Sequence, residues 1–327
     1  MYLAVYLPLL IPVLAGLAAR PLADRLPPAA ATWLLAASAL ALATASSAVL
    51  GLLALTALGR VPVLDSLSDL SRRVMTRDDP ASLPVAIVAG ALLTAVAVAV
   101  GRALYRRLRA IVAAGRRAHR LPGAGQVVVT EEDAADAYTL PGLPCRIVIT
   151  SGMLRALSGP EREVLLAHER THAGWAHYLF TSVARLAAAA NPLLRPVAAE
   201  VGYTVERWAD EHAARVTGDR PLVARAVARA AMAASASGPG RDAVMAALGI
   251  ADGGKHAERA ERGKHEMRRA GPVPRRVAAL LAPAPRPRLL LFATALLLVG
   301  VSAASAVEAA RNLHMLIESA QAAAMPR

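Results

Sequence analysis

The hydrophobic pattern falls into four long uncharged runs separated by polar chain. Residues 1–19, 26–59, 81–101 and 289–307 contain no Asp, Glu, Lys or Arg. Each reaches the ~18–20 residues that cross a ~30 Å hydrocarbon layer as a helix. Four such runs argue against ordinary buried core helices and predict an α-helical integral membrane protein with four transmembrane helices. The predicted spans are about 2–19, 32–59, 83–101 and 289–307. The second run exceeds the need of one span, and the Pro27-Pro28 pair sets its helix start near Thr32 or Trp33. No positive charge precedes the first run and Arg20 follows it, the reverse of a cleavable signal peptide.

Residues 1–101 thus form a membrane domain with three spans, 102–288 an inserted domain, 289–307 the fourth span and 308–327 a short tail. Within the insert the pattern is mixed α+β. Residues 102–121 read as a basic helix continuing from the third span. Short apolar stretches at 127–129 and 146–149 read as strands joined by a turn at Pro141-Gly142-Leu143-Pro144. A helix begins at Pro160, where Ser158 and Glu161 fit a capping box. The uncharged stretch 171–184 is too short to span and reads as a buried or membrane-apposed helix. Helical patterns follow at 201–217 and 220–236, then a break at 237–240. Residues 255–269 read as a charge-dense solvated helix, and 282–288 as a stiff Pro-rich linker.

Composition then narrows the function classes. The chain is 56% hydrophobic but only 3% aromatic, with a formal charge of +13 and pI near 11.1. Such a charge ordinarily points to nucleic acid, but the arginines flank apolar runs, where basic residues set membrane orientation, so no direct nucleic-acid binding is expected. Arg20, Arg25, the arginines from Arg102 to Arg120 and the basic residues from Lys255 to Arg288 would all share one side. The other side would hold Arg60, Arg72, Arg73, Arg77, Arg311 and Arg327. The bias predicts a multi-pass cell-membrane protein with its N-terminus outside and its inserted domain cytoplasmic. The single cysteine, Cys145, excludes an internal disulfide, so any metal site must use His, Asp or Glu.

Leu166-Ala167-His168-Glu169-Arg170-Thr171-His172 contains H-E-x-x-H within the predicted helix. Four residues along a helix put His168 and His172 on one face, so two imidazoles can reach one Zn2+ ion. Glu169 lies beside that face and can take a proton from the attacking water. A peptidase zinc needs a third protein ligand, and Glu206 supplies it from a downstream helix. Asp210, four residues on, shares its face and can orient a ligand histidine. His177, five residues past His172, turns off the ligand face and reads as a packed or supporting histidine, and His212 reads as structural. Tyr138 and His256 both remain open for the oxyanion role.

The stretches 137–142, 147–154 and 163–169, Asn191-Pro192-Leu193 and the E-x-x-A-D at 206–210 resemble BlaR/MecR-type membrane metallopeptidases. The resemblance covers about residues 125–217. It implies a gluzincin-type zinc peptidase domain with one Zn2+ per chain on His168, His172 and Glu206, and Glu169 as catalyst. It also implies a cytoplasmic site that cuts a winged-helix repressor after an external signal. The C-terminal penicillin-binding sensor domain of such proteins has no counterpart: no lysine follows Lys264, so neither S-x-x-K nor K-T-G occurs beyond the fourth span.

The combined expectation is a zinc-dependent endopeptidase embedded in the lipid bilayer that hydrolyses a protein substrate at a cytoplasmic active site and signals by inactivating a transcriptional repressor. An extended substrate would add to an edge strand at Ile147, Val148 and Ile149. Constitutive membrane-protein quality control is the rival enzyme role. A non-cleaving, zinc-stabilised receptor is the rival from another class, and Glu169 argues against it because structural zinc needs no general base.

Overall fold

The computed structural model describes residues 2–58, 83–142, 145–237 and 272–284, with isolated positions between 293 and 311. The 60–79 loop, the 255–269 segment and His256 lie outside the described residues, as do most of the fourth predicted span and of the tail. Among the described residues, three helices are long and apolar enough to cross a membrane. They are α1 (Tyr2–Arg25), α2 (Pro28–Leu58) and α3 (Leu83–Arg120). α2 begins at Pro28 rather than near Thr32. A proline suits the first helical turn because the N–H it lacks would have no partner there, and Ala31 N donates to Pro27 O at 2.9 Å to close that turn. α3 runs unbroken from the third span into the basic helix predicted at 102–121.

The insert holds β1 (Val127–Thr130), β2 (Ala137–Leu140) and β3 (Arg146–Thr150), then α4 (Ser151–Ala156), α5 (Gly159–Gly174) and α6 (His177–Ala190). A 3-10 turn (Pro192–Leu194), α7 (Arg195–Thr217), α8 (Arg220–Ala236) and α9 (Pro272–Leu281) complete the described elements. The strand order is β1-β3-β2, with β1 parallel and β2 antiparallel to β3. In chain order β2 lies between the two strands read from the sequence, and Leu143 and Pro144 of the turn expected between those strands lie outside the described residues. The edge-strand expectation for Ile147, Val148 and Ile149 also fails: β3 is the middle strand, hydrogen-bonded on both sides, and these side chains are at most 1% exposed. An unbroken apolar run marks a strand covered on both faces, which is why β3 is central. Val148 faces Ala110, Ala114 and Ala118 of α3. Ile147 and Ile149 face Met153, Leu157 and residues of α5 and α8.

Ser158 and Glu161 meet at the start of α5 as predicted, the Glu161 carboxylate accepting from Ser158 N at 2.9 Å and from its hydroxyl at 2.7 Å. At the start of α4 the backbone of Asp133 passes so close to Gly152 that an added Cβ would sit 2.1 Å from Asp133 O. Only glycine fits there. The stretch 171–184 is not one helix. α5 ends at Gly174, and Ala176, in left-handed backbone (φ 47°), redirects the chain into α6.

α6 and α7 form a hairpin that packs along α1 and α2 in one core with Ile11, Leu35, Leu42, Leu194 and Val201. Polar groups lock this contact. Pro12 offers no N–H to the Pro8 carbonyl, which instead accepts from Ser46 Oγ at 2.7 Å, and Ser46 in turn accepts from Asn191 Nδ2 at 3.1 Å. Thr32 Oγ1 donates to Thr204 Oγ1 at 2.9 Å, and Arg207 Nη1 donates to Ala23 O at 2.7 Å.

Candidate metal centre

α5 and α7 cross so that His168, His172 and Glu206 converge, as their spacing predicts. The two Nε2 atoms are 3.0 Å apart, and they stand 3.6 Å and 3.5 Å from the Glu206 carboxylate oxygens. Three ligands of a tetrahedral zinc at ~2.0–2.1 Å would be ~3.3–3.4 Å apart, and with one ligand atom from each residue these three lie within 4.8 Å of one another, close enough to gather on such an ion. Two imidazoles and one carboxylate are also a donor set that this metal takes. Glu169, next to His168 in the chain, is 6% exposed, and its Oε2 accepts from Thr139 Oγ1 at 2.9 Å.

The sequence placed Asp210 behind a ligand histidine, and its Oδ1 lies 3.0 Å from His168 Nδ1. It did not reveal Arg276. This α9 guanidinium grips both Asp210 oxygens at 2.7 Å and lies 2.9 Å from Glu206 Oε2. The neighbouring Arg275 covers the Tyr203 ring at 3.8 Å and bonds Glu200 and Asp24, at 3.0 Å and 2.8 Å, tying α9 to α7 and to the end of α1. Nothing in the sequence singles out one arginine among so many. Thr139 carried a weak signal, as the one polar position alternating between Tyr138 and Leu140 on β2.

Behind His172 stands His177, 1% exposed, with the two Nδ1 atoms 3.0 Å apart. Its ring lies 4.8 Å from Trp208, beside Phe180. The expectation of a packed, supporting histidine fits this place. Tyr138 is buried against α3 on the face of β2 opposite Thr139, away from Glu169. His212 bonds Arg215 on the exposed side of α7. Cys145 is partly buried next to β3.

Burial by itself would lower the His168 pKa, but hydrogen bonds to Asp210 and Glu206 override it and push the group up to about 10. Burial takes His172 down to about 4, against the pull of Glu206, and burial with the neighbouring His172 takes His177 down to about 3. Despite burial, Arg276 and the histidines hold the Glu206 carboxyl well below its ordinary range, and Arg276 does the same for Asp210. Burial raises Glu169, which suits a group that must accept a proton. With His168 protonated and the other two rings neutral, His168 Nε2–H donates to His172 Nε2, and His172 Nδ1–H donates to His177 Nδ1. The His177 N–H at Nε2 is then buried with no hydrogen-bond partner among the described residues.

A buried carboxylate beside a His-His-Glu triangle is the apparatus of a metallopeptidase. The family comparison agrees: a model for Peptidase family M48, a zinc metallopeptidase family, matches residues 102–190, from the end of the third span through both histidines. No curated protein and no solved structure matches the chain. The matched class supports a metalloendopeptidase, while the BlaR-type subdivision rests on the sequence motifs alone.

Proposed function

We propose that the protein is a membrane-anchored, zinc-dependent endopeptidase that cuts a protein substrate beside the membrane and acts in signalling by inactivating a transcriptional repressor. The observation that carries the peptidase reading is the ligand triangle with Glu169 buried against it. His168, His172 and Glu206 would hold Zn2+, which when bound polarises the scissile carbonyl and acidifies water. Glu169 takes the proton of the attacking water and returns it to the leaving amine. Thr139 keeps the Glu169 carboxylate in place, and Asp210 and His177 fix the ligand imidazoles. The outer edge of β2, which carries Thr139 next to Glu169, is where an extended substrate would add as a further strand.

The signalling reading draws support from α7. Residues on both sides of Glu206 are bonded to the spans: Thr204 to Thr32 and Arg207 to the Ala23 carbonyl. A shift of α1 against α2 would therefore move a metal ligand. With the N-terminus outside, the site faces the cytoplasm, where a winged-helix repressor dimer loses its linked half-sites when cut between its DNA-binding and dimerisation parts.

Glu169→Gln tests the reading. The variant should keep its metal and lose about 10²–10⁴-fold in peptidase rate. His168→Ala, His172→Ala and Glu206→Ala should lose both. Full activity in purified Glu169→Gln protein would sink the mechanism. Fragment profiling of cells should show one repressor cut only with Glu169 intact. Accumulation of many unrelated membrane proteins in the Glu169→Gln strain, with no repressor altered, would instead mark quality control.

A further inference from the structure

The hairpin of α6 and α7 carries an uncharged stretch, residues 186–194, bounded by Arg185 and Arg195. Arg185 lies within electrostatic reach of Arg107, in the arginine-rich part of α3 directly after its apolar part. α6 packs along α3, and this pairing places Arg185 near the level at which α3 leaves the apolar layer. Beyond it, residues 186–190 continue α6 by about 8 Å, less than the ~15 Å depth of one leaflet's hydrocarbon.

Contacts at the tip also place it among the spans. A Cβ on Gly16, one helical turn before Arg20 in α1, would lie 3.3 Å from the Leu193 carbonyl. Asn191 reaches Ser46, well inside α2. The polar atoms of Asn191 are satisfied within protein: its amide nitrogen donates to Ser46, and its side-chain oxygen accepts from Leu193 N at 3.1 Å. The tip presents apolar surface outward, with Pro192 exposed and Leu193 46% exposed. The outward face of α1 is apolar too, with Leu14 and Leu17 exposed. Arg195 ends the uncharged stretch, and an arginine keeps its head at the interface while its stem lies along apolar surface.

We propose that this tip is a re-entrant membrane element, whose occupant is the acyl-chain layer of the leaflet on the metal centre's side. The hairpin then enters and leaves by the same face, and the Asn191 side chain at its apex is paired inside the protein, as a turn at that depth requires. His177 and Glu206, near the hairpin's open end, stand just outside that leaflet, which fixes the height of the metal centre above the bilayer. The inference depends on the three spans and not on the peptidase reading.

The full chain in lipid nanodiscs, with Cys145→Ser and a nitroxide on a single introduced cysteine, provides the test. Leu193→Cys and Pro192→Cys report the tip, Leu17→Cys the lipid face of α1, and Val216→Cys the exposed end of α7. At 193 and 192 the ratio of collision with oxygen to collision with a water-soluble nickel chelate should match that at 17. It should exceed the ratio at 216 by about tenfold, because the apolar layer excludes the chelate. Chelate access at 192 and 193 equal to that at 216 overturns the proposal. Chelate access at 17 as well would remove the spans, and the re-entrant tip with them.

Discussion

Behind His168 lies a carboxylate locked by an arginine, while behind His172 lies a neutral imidazole among aromatic rings. The charged side makes His168 basic, while burial, with the charges of His168 and Arg276 nearby, keeps His172 unprotonated. The two supports also differ in origin. His177 comes from the helix next in the chain, whereas Asp210 and Arg276 come from α7 and from α9. The charged support thus depends on long-range folding and the neutral one on a local bend at Ala176.

The largest effect should come from breaking the charged side. Asp210→Ala leaves Arg276, 13% exposed, without its bidentate partner and should cost about 3–5 kcal/mol, read by denaturant unfolding in detergent. Metal affinity should fall about 10–100-fold in the same variant. A loss below 1 kcal/mol would show that the two ion partners are not coupled; an Asp210→Asn with Arg276→Met cycle would measure that coupling.

On the neutral side, His177→Phe should weaken metal binding by about tenfold. It should change stability little, since the unpartnered His177 N–H disappears with the imidazole but the His172 Nδ1–H loses its acceptor. Unchanged affinity would mean that His172 needs no support from behind.

Proton release distinguishes the two sides directly. His168, raised to about 10, is protonated in the metal-free protein at neutral pH, whereas His172, lowered to about 4, is not. Metal uptake at pH 7 should therefore release one proton, and affinity should rise with pH until it levels near pH 10. Calorimetry in buffers of different ionisation enthalpy gives the count, which should fall toward zero in Asp210→Ala. The smallest effect belongs to Thr139→Val. It removes a hydrogen bond that lowers the Glu169 pKa, so the acid limb of the rate profile should move to higher pH while metal content stays the same.

What the sequence made legible follows the same division. Two histidines four residues apart, a downstream glutamate with a carboxylate one turn later, and a capping box are local patterns on helices, and the structure brings each together as its spacing implies. Arg276 was invisible because its role depends on how α9 docks, across a stretch whose arginines all look alike. β3 as an edge failed for a related reason: pairing order is set by β2, whose Ala-Tyr-Thr-Leu is too short and mixed to announce a strand. The uncharged 171–184 stretch concealed a bend, since alanine at position 176 carries no mark of left-handed backbone.

α3 has one further consequence. It is a single 38-residue helix, about 57 Å long, whose apolar part lies against α2 and whose last turns cover the sheet. Its only proline is at position 84, in the first turn, so nothing within the shaft lets one end swivel independently of the other. The two ends are therefore locked in rotational phase. One residue inserted near position 101 would turn Ala110, Ala114 and Ala118 about 100° away from Val148, whereas seven would restore the facing and change only the length.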